Sequence, residues 1–374
     1  MKKITILMLH LQHGGIEKQT TLFANELAKK YNVEIISVYS MNKDPAYELN
    51  KKIKVKYLIK GAPNREEFKK QLKSFHIFRT FKEGKKSIKI LKDKKQLMIE
   101  EIKNLDCDYV LSTRIEFAEL LSKYAPKDVI TMTQEHLHND SKSYVKRVKK
   151  AFANLDYLVV LSPWSKENYS KWLKGNKKIK IVEIPNIVDK LSKDKTKLNN
   201  NTIIAVGRMH KVKCFTDLIK VYKKVKKEIP DLKLNLVGDG DEYKKLKQLT
   251  KNLDVYMPGM VNSDEVNSYM KESSLYVMTS LTECFPMVLL EASSMGLPSV
   301  SFDVPTGPRA IIENGKSGYL IKDRNIDEMA KKIILLLNNK DKLKEFGNCA
   351  YENSKKYLKQ EIMKKWFELF DLHQ

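Results

Sequence analysis

Short apolar runs alternate with amphipathic, helix-like segments along nearly the whole chain, and this alternation limits the possible folds more than any other feature. The runs have the length of strands, and apolar residues recur at helical spacing in the segments that follow them. Strands that alternate with helices form parallel sheets covered by helices on both faces. We therefore predict an α/β protein with strands at residues 4–9, 33–40, 53–59, 109–112, 129–133, 157–162, 179–184, 202–206, 234–237, 255–257, 275–280, 299–302 and 319–321.

A polar, charged segment without hydrophobic periodicity, residues 189–201, divides the strands into two series. It is predicted to be a linker between two doubly wound domains, residues 1–188 and residues 202–355, whose parallel sheets face each other across a cleft. Residues 356–374 contain Ile362, Trp366, Phe367 and Phe370 on one side of a helical pattern. This segment is predicted to be a closing helix that packs back on the N-terminal domain.

The composition excludes several classes of protein. The longest apolar runs are much shorter than the roughly 20 residues that span a bilayer. A lysine pair precedes the first strand, but the N-terminus lacks the long apolar region and the cleavage site of a signal peptide, so we expect a cytoplasmic protein. The four cysteines are scattered without paired spacing, which argues against a disulfide framework and against a zinc site.

The formal net charge of +24 favours an anionic partner, which could be nucleic acid, an acidic membrane surface or a phosphorylated substrate. The basic stretch from Arg65 to Lys95 carries 12 lysines and arginines against 4 acidic residues. Its apolar residues at helical spacing are Phe68, Leu72, Phe75, Phe78 and Phe81. The pattern indicates an amphipathic helix that binds an anionic membrane surface, and no nucleic acid is expected. An ordinary amphipathic helix with its aromatic side chains toward the core is the alternative.

The first strand leads into Gly14-Gly15 and then into a helix, which is the general architecture of a phosphate-binding corner. The turn matches neither the dinucleotide-binding fingerprint nor the P-loop pattern, and a turn without a binding role is the alternative. His136 follows the strand at residues 129–133, at the edge where ligands bind in open α/β sheets. A structural histidine is the alternative at that position.

Arg208, Lys211 and Lys213 follow the strand at residues 202–206 and precede a helix predicted at residues 215–228. Cations at the end of a strand, just before a helix, predict a phosphate pocket. Solvated side chains of a lysine-rich chain are the alternative. Arg208 is harder to explain in that way, because arginine is scarce in this sequence.

Residues 283–291 carry two carboxylates around the predicted start of a short helix. Pro286 fits the first helical position, and Gly296 supplies a stop signal. The free N–H groups of that helix start would form an anion site, and Glu283 and Glu291 could accept hydrogen bonds from sugar hydroxyl groups. In the alternative interpretation, Glu291 only complements the helix N-terminus and Glu283 is a surface charge.

In order and spacing, the motifs of the second half resemble the family 4 retaining glycosyltransferases of the GT-B fold, of the type that makes bacterial capsules and cell-surface polysaccharides. The matching residues are Gly207-Arg208, Lys213, Gly238-Asp239-Gly240, Gly259, Glu283, Glu291, Gly296-Leu297-Pro298, Thr306-Gly307-Pro308-Arg309, Asn314-Gly315 and Gly318. The first half matches more weakly, at Gly14-Gly15 and His136. The resemblance implies two Rossmann-like domains, of which the N-terminal one binds the acceptor and the C-terminal one binds a nucleotide sugar.

The resemblance also implies a role for each matching position. Arg208 and Lys213 would clamp the diphosphate, Glu291 would bind the ribose, and Glu283 would bind the donor sugar. His136 would lie near the transferred sugar, so the catalytic residues would be this histidine, Glu283 and the two cations. The remaining predicted donor contacts are Gly14, Gly15, Phe285, Pro286, Met287 and Val288.

The implied activity is retaining, metal-independent transfer of a hexose from a nucleotide-diphosphate sugar, such as a UDP-sugar, to a lipid-linked or polymeric cell-surface glycan. Neither a metal nor another cofactor is expected, because cations and helix dipoles would stabilise the leaving diphosphate. The expected location is cytoplasmic, at the inner face of the cell membrane. An epimerase or hydrolase on the same scaffold is one alternative, and a basic, non-catalytic protein that binds nucleic acid or membranes is another. Cys214 and Cys284 stand where the family commonly has glycine, and we expect them to narrow the donor pocket.

Overall fold

The structure, a computed structural model, describes residues 1–61, 77–137 and 139–372. Most of the basic stretch, including its predicted aromatic face, lies outside the described residues and side chains. Contacts divide the chain into two compact units, Met1–Val160 with Lys166–Glu183, and Leu161–Ser165 with Ile184–Gln374. Residues 189–201 and the last helix belong to the second unit. The predicted domain boundaries, and the packing of the closing helix on the N-terminal domain, stay predictions.

The first unit contains a seven-stranded parallel sheet. Its strands are β1 Lys3–Met8, β2 Asn32–Tyr39, β3 Lys54–Ile59, β4 Tyr109–Ser112, β5 Ile130–Gln134, β6 Tyr157–Val160 and β7 Lys180–Glu183, in the order β3-β2-β1-β4-β5-β6-β7. The helices along this part of the chain are α1 Gly15–Leu27, α2 Ile77–Lys103, α3 Ile115–Tyr124, α4 Lys142–Ala151 and α5 Pro163–Trp172. Ile6 pairs in register with Ile35 and Leu111, and all three are buried. Helices cover both faces of such a sheet, so its central strands are buried and mostly apolar.

The second unit contains a six-stranded parallel sheet. Its strands are β8 Thr202–Val206, β9 Lys233–Val237, β10 Val255–Tyr256, β11 Leu275–Met278, β12 Ser299–Phe302 and β13 Gly318–Ile321, in the order β10-β9-β8-β11-β12-β13. Its helices are α6 Phe215–Glu228, α7 Tyr243–Leu249, α8 Ser263–Lys271, α9 Met287–Ser294, α10 Gly307–Ile311, α11 Ile326–Asn338, α12 Lys340–Ser354 and α13 Lys359–Asp371. Ile203 pairs with Leu234 on one side and Leu275 on the other, and all three are fully buried.

Each sheet reverses its strand order once, and this reversal locates the places where ligands bind in open α/β sheets. In the first unit the order reverses between β1 and β4, and in the second between β8 and β11. All paired strands are parallel, so the loops that leave these strands meet at the carboxyl edge of each sheet. In the second unit, this reversal brings together the loops that carry Lys213 and Glu283.

The predicted α/β class with two parallel sheets is confirmed, and α6 has the predicted bounds. Strand β11 ends at Met278, two residues earlier than predicted. The reason is that the carbonyls of Thr279 and Ser280 accept hydrogen bonds from the Arg324 guanidinium, at 3.0 and 2.8 Å, instead of continuing the sheet. The structure also corrects Pro286, which is not the first helical residue.

Pro286 is the N-cap of α9, with φ −72° and extended ψ 102°. Its carbonyl accepts the N–H groups of Leu289 and Leu290, so the helix begins at Met287. At the other end, Gly296 has φ 71°, a left-handed conformation that glycine adopts without steric cost, and its role as a stop signal is confirmed.

Helix α2 is long, with 27 residues, but lysines recur along it. Among the described residues, no helix combines the length and the apolar content needed to cross a membrane.

Candidate active site

Glycines allow the loop after β8 to pack closely against the loop after β9. A Cβ atom on Gly238, which has φ 134°, would collide with the carbonyl oxygen of Gly207. The amide of Met209 donates to the Asp239 carbonyl at 2.8 Å, and a Cβ on Gly240 would collide with the Met209 carbonyl. The Gly-Asp-Gly motif is thus required to hold the backbone that presents the neighbouring Arg208.

Lys213 and Glu283 form an ion pair at the point where the strand order reverses in the second unit. The Nζ atom of Lys213 donates to Oε1 of Glu283 at 2.5 Å, and the two side chains are only 24% and 12% exposed. The family resemblance implies that this lysine binds a diphosphate and that this glutamate binds a sugar. Within the protein itself they bind each other, so a ligand that uses both groups must separate or bridge them.

Arg208 lies on the same loop as Lys213, two residues after β8. Its side chain is exposed, and it forms no salt bridge with any residue that the structure describes. Gly207 lies beneath the lysine, because a Cβ there would approach Cε of Lys213 to 3.3 Å. Arg208 is therefore an unpaired cation on this loop, whereas Lys213 is held by a carboxylate.

Cys214 adopts the left-handed conformation, with φ 49° and ψ 43°. This conformation explains why a glycine would be favoured here, since other residues lose about 1–2 kcal/mol in it. The thiol donates to Oδ2 of Asp217 at 3.3 Å. Burial and this hydrogen bond raise the pKa of the Cys214 thiol, which disfavours the reactive thiolate.

Arg324 braces the loop after β11, a role that sequence reasoning missed. Besides its bonds to the two carbonyls after β11, it contacts Oδ2 of Asp217 at 3.2 Å and lies 4.1 Å from the ring centroid of Phe302. It thus ties the start of α6 to the loop that leads to Glu283. The scarcity of arginine in this chain was the available signal.

The Thr306-Gly307 pair fixes the other side of the same loop. The hydroxyl of Thr306 donates to the Glu283 carbonyl, and a Cβ on Gly307 would collide with the ring of Pro286. Phe285 is buried, with its ring edge-on to Tyr357 at 5.6 Å. These contacts give the motif at residues 306–307 a structural purpose, which is to hold Glu283 and the start of α9.

The start of α9 presents polar groups suited to a ligand. Met287 and Val288 are its first two residues, and first-turn N–H groups have no partner inside a helix. Thr282 has a buried hydroxyl oxygen without a hydrogen-bond partner among the described residues. Glu291 is half-buried in the second turn of the helix. Buried polar groups in native proteins are normally hydrogen-bonded, so the orphan hydroxyl of Thr282 is consistent with a bound ligand.

In the first unit, Gly14 and Gly15 begin α1 as predicted, but they differ in their surroundings. A Cβ on Gly14 would collide with the Glu17 carboxylate, whereas a Cβ on Gly15 would meet nothing within 4 Å. Glycine at position 14 therefore makes room for the protein's own carboxylate. Only Gly15 has open space beside it for the close approach of another molecule.

His136 follows β5 directly after Glu135, as predicted. Its Nε2 atom is buried and has no hydrogen-bond partner among the described residues. Burial and the charge of Arg114 lower the pKa of His136 to about 4, so its ring is neutral at pH 7. The preceding Glu135 is held by Tyr144, whose hydroxyl donates to Oε2 at 2.8 Å. Burial raises the pKa of this carboxyl group.

The second half of the chain matches a protein family. Residues 188–353 fit the model of Glycosyl transferases group 1. This half of the chain is a group 1 glycosyltransferase domain. The matched range contains Arg208, Lys213, Glu283 and Glu291, whereas the predicted donor contacts Gly14 and Gly15 lie outside it. The resemblance on which these predictions depend is thereby confirmed.

Matches to individual proteins cover nearly the whole chain. An uncharacterized glycosyltransferase of Haemophilus influenzae is 29% identical over 376 residues, which cover 98% of this chain and 99% of the relative. Exopolysaccharide phosphotransferase SCO2592 of Streptomyces coelicolor is 27% identical over 96% of this chain. The chain spans only 39% of the length of that relative.

A solved structure of S. aureus TarM, a mutant in complex with Fondaparinux, alpha-GlcNAc-glycerol and UDP, has a similar fold. Its TM-score is 0.79 at 18% sequence identity, and the match covers 99% of this chain and 100% of that one. Identity at this level shows the fold alone. Together with the two parallel, Rossmann-like sheets, it confirms the predicted GT-B class.

Proposed function

We propose that the protein is a retaining, metal-independent hexosyltransferase that moves a hexose from a UDP-sugar to a lipid-linked or polymeric glycan of the cell surface. The observation that carries this proposal is the Lys213–Glu283 pair at the strand reversal of the group 1 domain, beside the unpaired Arg208. UDP occupies the similar TarM structure, and an exopolysaccharide enzyme is among the relatives. These similarities support a UDP-sugar as the donor and a cell-surface glycan as the acceptor.

The proposed chemistry depends on stabilisation of the leaving diphosphate. When the bond to the sugar breaks, negative charge develops on the diphosphate, and Arg208 and Lys213 would stabilise it most strongly in the transition state. The N-terminus of α9, at Met287 and Val288, would add its helix dipole. No metal is needed for this step. Glu283, released from its lysine, would accept hydrogen bonds from the donor sugar, and Glu291 would accept them from the ribose.

His136 would orient the transferred sugar. A neutral imidazole can donate one hydrogen bond and accept another, and the low pKa of His136 keeps it neutral at physiological pH. Its unpaired, buried Nε2 would find a partner in a sugar hydroxyl group. The open space at Gly15 would admit the donor phosphate or the acceptor close to the backbone.

The nucleotide released from the donor and the glycoside formed test the proposed activity. The protein is incubated with a panel of UDP-sugars and a lipid-linked or polymeric glycan, and the freed nucleotide and the anomeric configuration of the product are measured. We expect UDP and a retained configuration, without dependence on added metal. Release of UMP would indicate transfer of a sugar phosphate, and turnover without an acceptor would indicate hydrolysis. Lys227→Ala, at an exposed lysine near the end of α6, is the matched control for variants of the cations.

A peripheral location at the inner face of the cell membrane belongs to the same proposal. The apolar stripe of α2 is buried at Met98 and Ile102 but exposed at Ile88 and Leu91, which are 57% and 61% exposed. Lysines flank these two residues, as Lys92 does. Exposed apolar side chains beside lysines suit an anionic bilayer surface, where each lysine contributes roughly 1 kcal/mol.

Flotation with vesicles tests the membrane part of the proposal. We expect the protein to float with acidic vesicles, less so at high salt, and not with neutral ones. Ile88→Ser combined with Leu91→Ser should reduce flotation, whereas Leu249→Ser, at an exposed leucine of the second unit, should not. Wild-type protein that remains at the bottom of the gradient with both kinds of vesicle would contradict the membrane location.

A further inference from the structure

The reversal point of the first sheet carries a cluster of polar side chains that sequence reasoning did not single out. His10 follows β1, Glu17 lies in the first turn of α1, and Arg114 follows β4. These elements surround the gap between β1 and β4, where ligands bind in open α/β sheets. The second unit has its ion pair and Arg208 at the equivalent place, between β8 and β11.

Glu17 is the centre of this cluster. Its Oε1 atom lies 3.6 Å from Nδ1 of His10 and 3.7 Å from Nη2 of Arg114. The Glu17 side chain is only 7% exposed, whereas that of Arg114 is 31% exposed. The buried Glu17 carboxylate thus balances part of the positive charge of Arg114, while the arginine side chain remains partly exposed to solvent.

Arg114 keeps its hydrogen-bonding capacity. The distance of 3.7 Å to Glu17 is too long for a hydrogen bond, and its guanidinium makes none to the other residues that the structure describes. A guanidinium carries five N–H donors in a planar fork that matches the oxygens of a phosphate. The side chain is therefore anchored electrostatically, with its donors available to a ligand.

The orphan nitrogen of His136 is an independent sign of a ligand. Nε2 is buried without a partner on any described residue, and such groups are rare in native proteins. Arg114 and His136 each stand two residues beyond the end of a strand, and these strands, β4 and β5, are paired in register, so the two residues leave the sheet side by side. Burial, and after it the charge of Arg114, lower the pKa of His136, so its ring is neutral. Burial also lowers the pKa of His10, where Glu17 opposes the shift and Arg114 adds to it.

We propose that Arg114, with His136 beside it, binds a phosphate group carried by the acceptor. This inference deepens the proposed function, on which it rests, by naming the acceptor class as phosphate-bearing. The fork of Arg114 would take two phosphate oxygens, while the buried Nε2 of His136 meets a hydroxyl group of the transferred sugar. A neutral glycan of the same size would leave the guanidinium without this partner and would bind less tightly.

Acceptor kinetics with matched substrates test this assignment. Initial rates are measured with one glycan in three forms: neutral, phosphate-bearing and carboxylate-bearing. We expect Arg114→Met to raise the KM of the phosphate-bearing acceptor roughly 10- to 100-fold, the value of a charged hydrogen bond. The KM values of the UDP-sugar and of the neutral acceptor should change little. Arg147→Met, at a surface arginine paired with Glu119, is the control.

A second variant separates binding from a structural role. Glu17→Gln keeps the shape of the side chain but removes the charge that competes for Arg114, so glycerol phosphate should bind more tightly to the UDP-saturated protein in calorimetry. If Arg114→Met instead impaired neutral and phosphate-bearing acceptors equally, the arginine would only be structural. An equal effect on the carboxylate-bearing acceptor would overturn the phosphate assignment. The absence of UDP release with every acceptor would refute the proposed function itself.

Discussion

Replacement of Glu283 by glutamine tests whether the ion pair at the donor site competes with the diphosphate. Lys213 is held by Glu283 at 2.5 Å. A diphosphate that uses this lysine must first weaken that contact. Glu283→Gln retains the shape and an acceptor oxygen but removes the negative charge, so UDP should bind more tightly to the variant. If Glu283 bound only the sugar and did not hold Lys213, the Glu283→Gln variant would bind UDP with unchanged affinity.

The magnitude follows from the geometry of the pair. A hydrogen bond between charged groups contributes about 1.5–3 kcal/mol. The lysine is 24% exposed, so water screens part of the interaction, and we take about 1 kcal/mol for the part that glutamine removes. This corresponds to roughly a fivefold lower Kd for UDP. Turnover of the UDP-sugar should fall at the same time, because the variant loses a charged acceptor for the sugar hydroxyl groups.

Titration calorimetry with UDP, and steady-state kinetics with the UDP-sugar, measure the two opposite effects. Glu313→Gln is the matched control, since Glu313 also pairs with a lysine, Lys316, but at the surface. Equal or weaker UDP binding in a folded Glu283→Gln variant would refute the competition. Tighter UDP binding with normal turnover would keep the ion pair but remove Glu283 from the sugar site.

Four further predictions concern single residues. Glu291→Ala should weaken donor binding by roughly 1–3 kcal/mol without unfolding the protein, and unchanged binding by calorimetry would exclude the ribose role. Arg208→Ala and Lys213→Ala should each lower kcat strongly, because the charge on the diphosphate is greatest in the transition state; near-normal turnover at saturating donor would exclude that residue as a clamp. His136→Ala should impair transfer more than UDP binding. The pKa of His136 is about 4 in the folded protein, against 6.5 in the unfolded chain. The unfolded chain therefore binds a proton that the folded protein does not, and the free energy of unfolding falls as the pH drops from about 6.5 to about 4. His136→Ala removes this effect, so thermal melts of the variant should depend less on pH. Cys214→Gly should relieve about 1 kcal/mol of backbone strain and raise the Tm, because the thiol contact with Asp217 that it removes is a weak hydrogen bond; a lower Tm in thermal melts would contradict this.

The sequence by itself determined the fold class. Each strand and helix is encoded by the spacing of apolar residues within a short window, so α6 was predicted with its observed bounds and both sheets were predicted to be parallel. Local backbone signals were also readable, such as the stop at Gly296. The prediction for Pro286 was wrong by one position, because the residue is the N-cap of α9 and not its first helical residue. Both of these positions suit a residue that has no N–H group.

Only the tertiary structure decided how the functional groups meet. Lys213 and Glu283 are far apart in sequence and pair because β8 and β11 are neighbours in the sheet, an order that apolar periodicity does not encode. In the same way, β1 lies beside β4, which brings Glu17 to Arg114. A sequence motif names residue types, but the partner of a charged side chain depends on strand order and on the loops that leave each strand, and both are set by packing of the whole sheet.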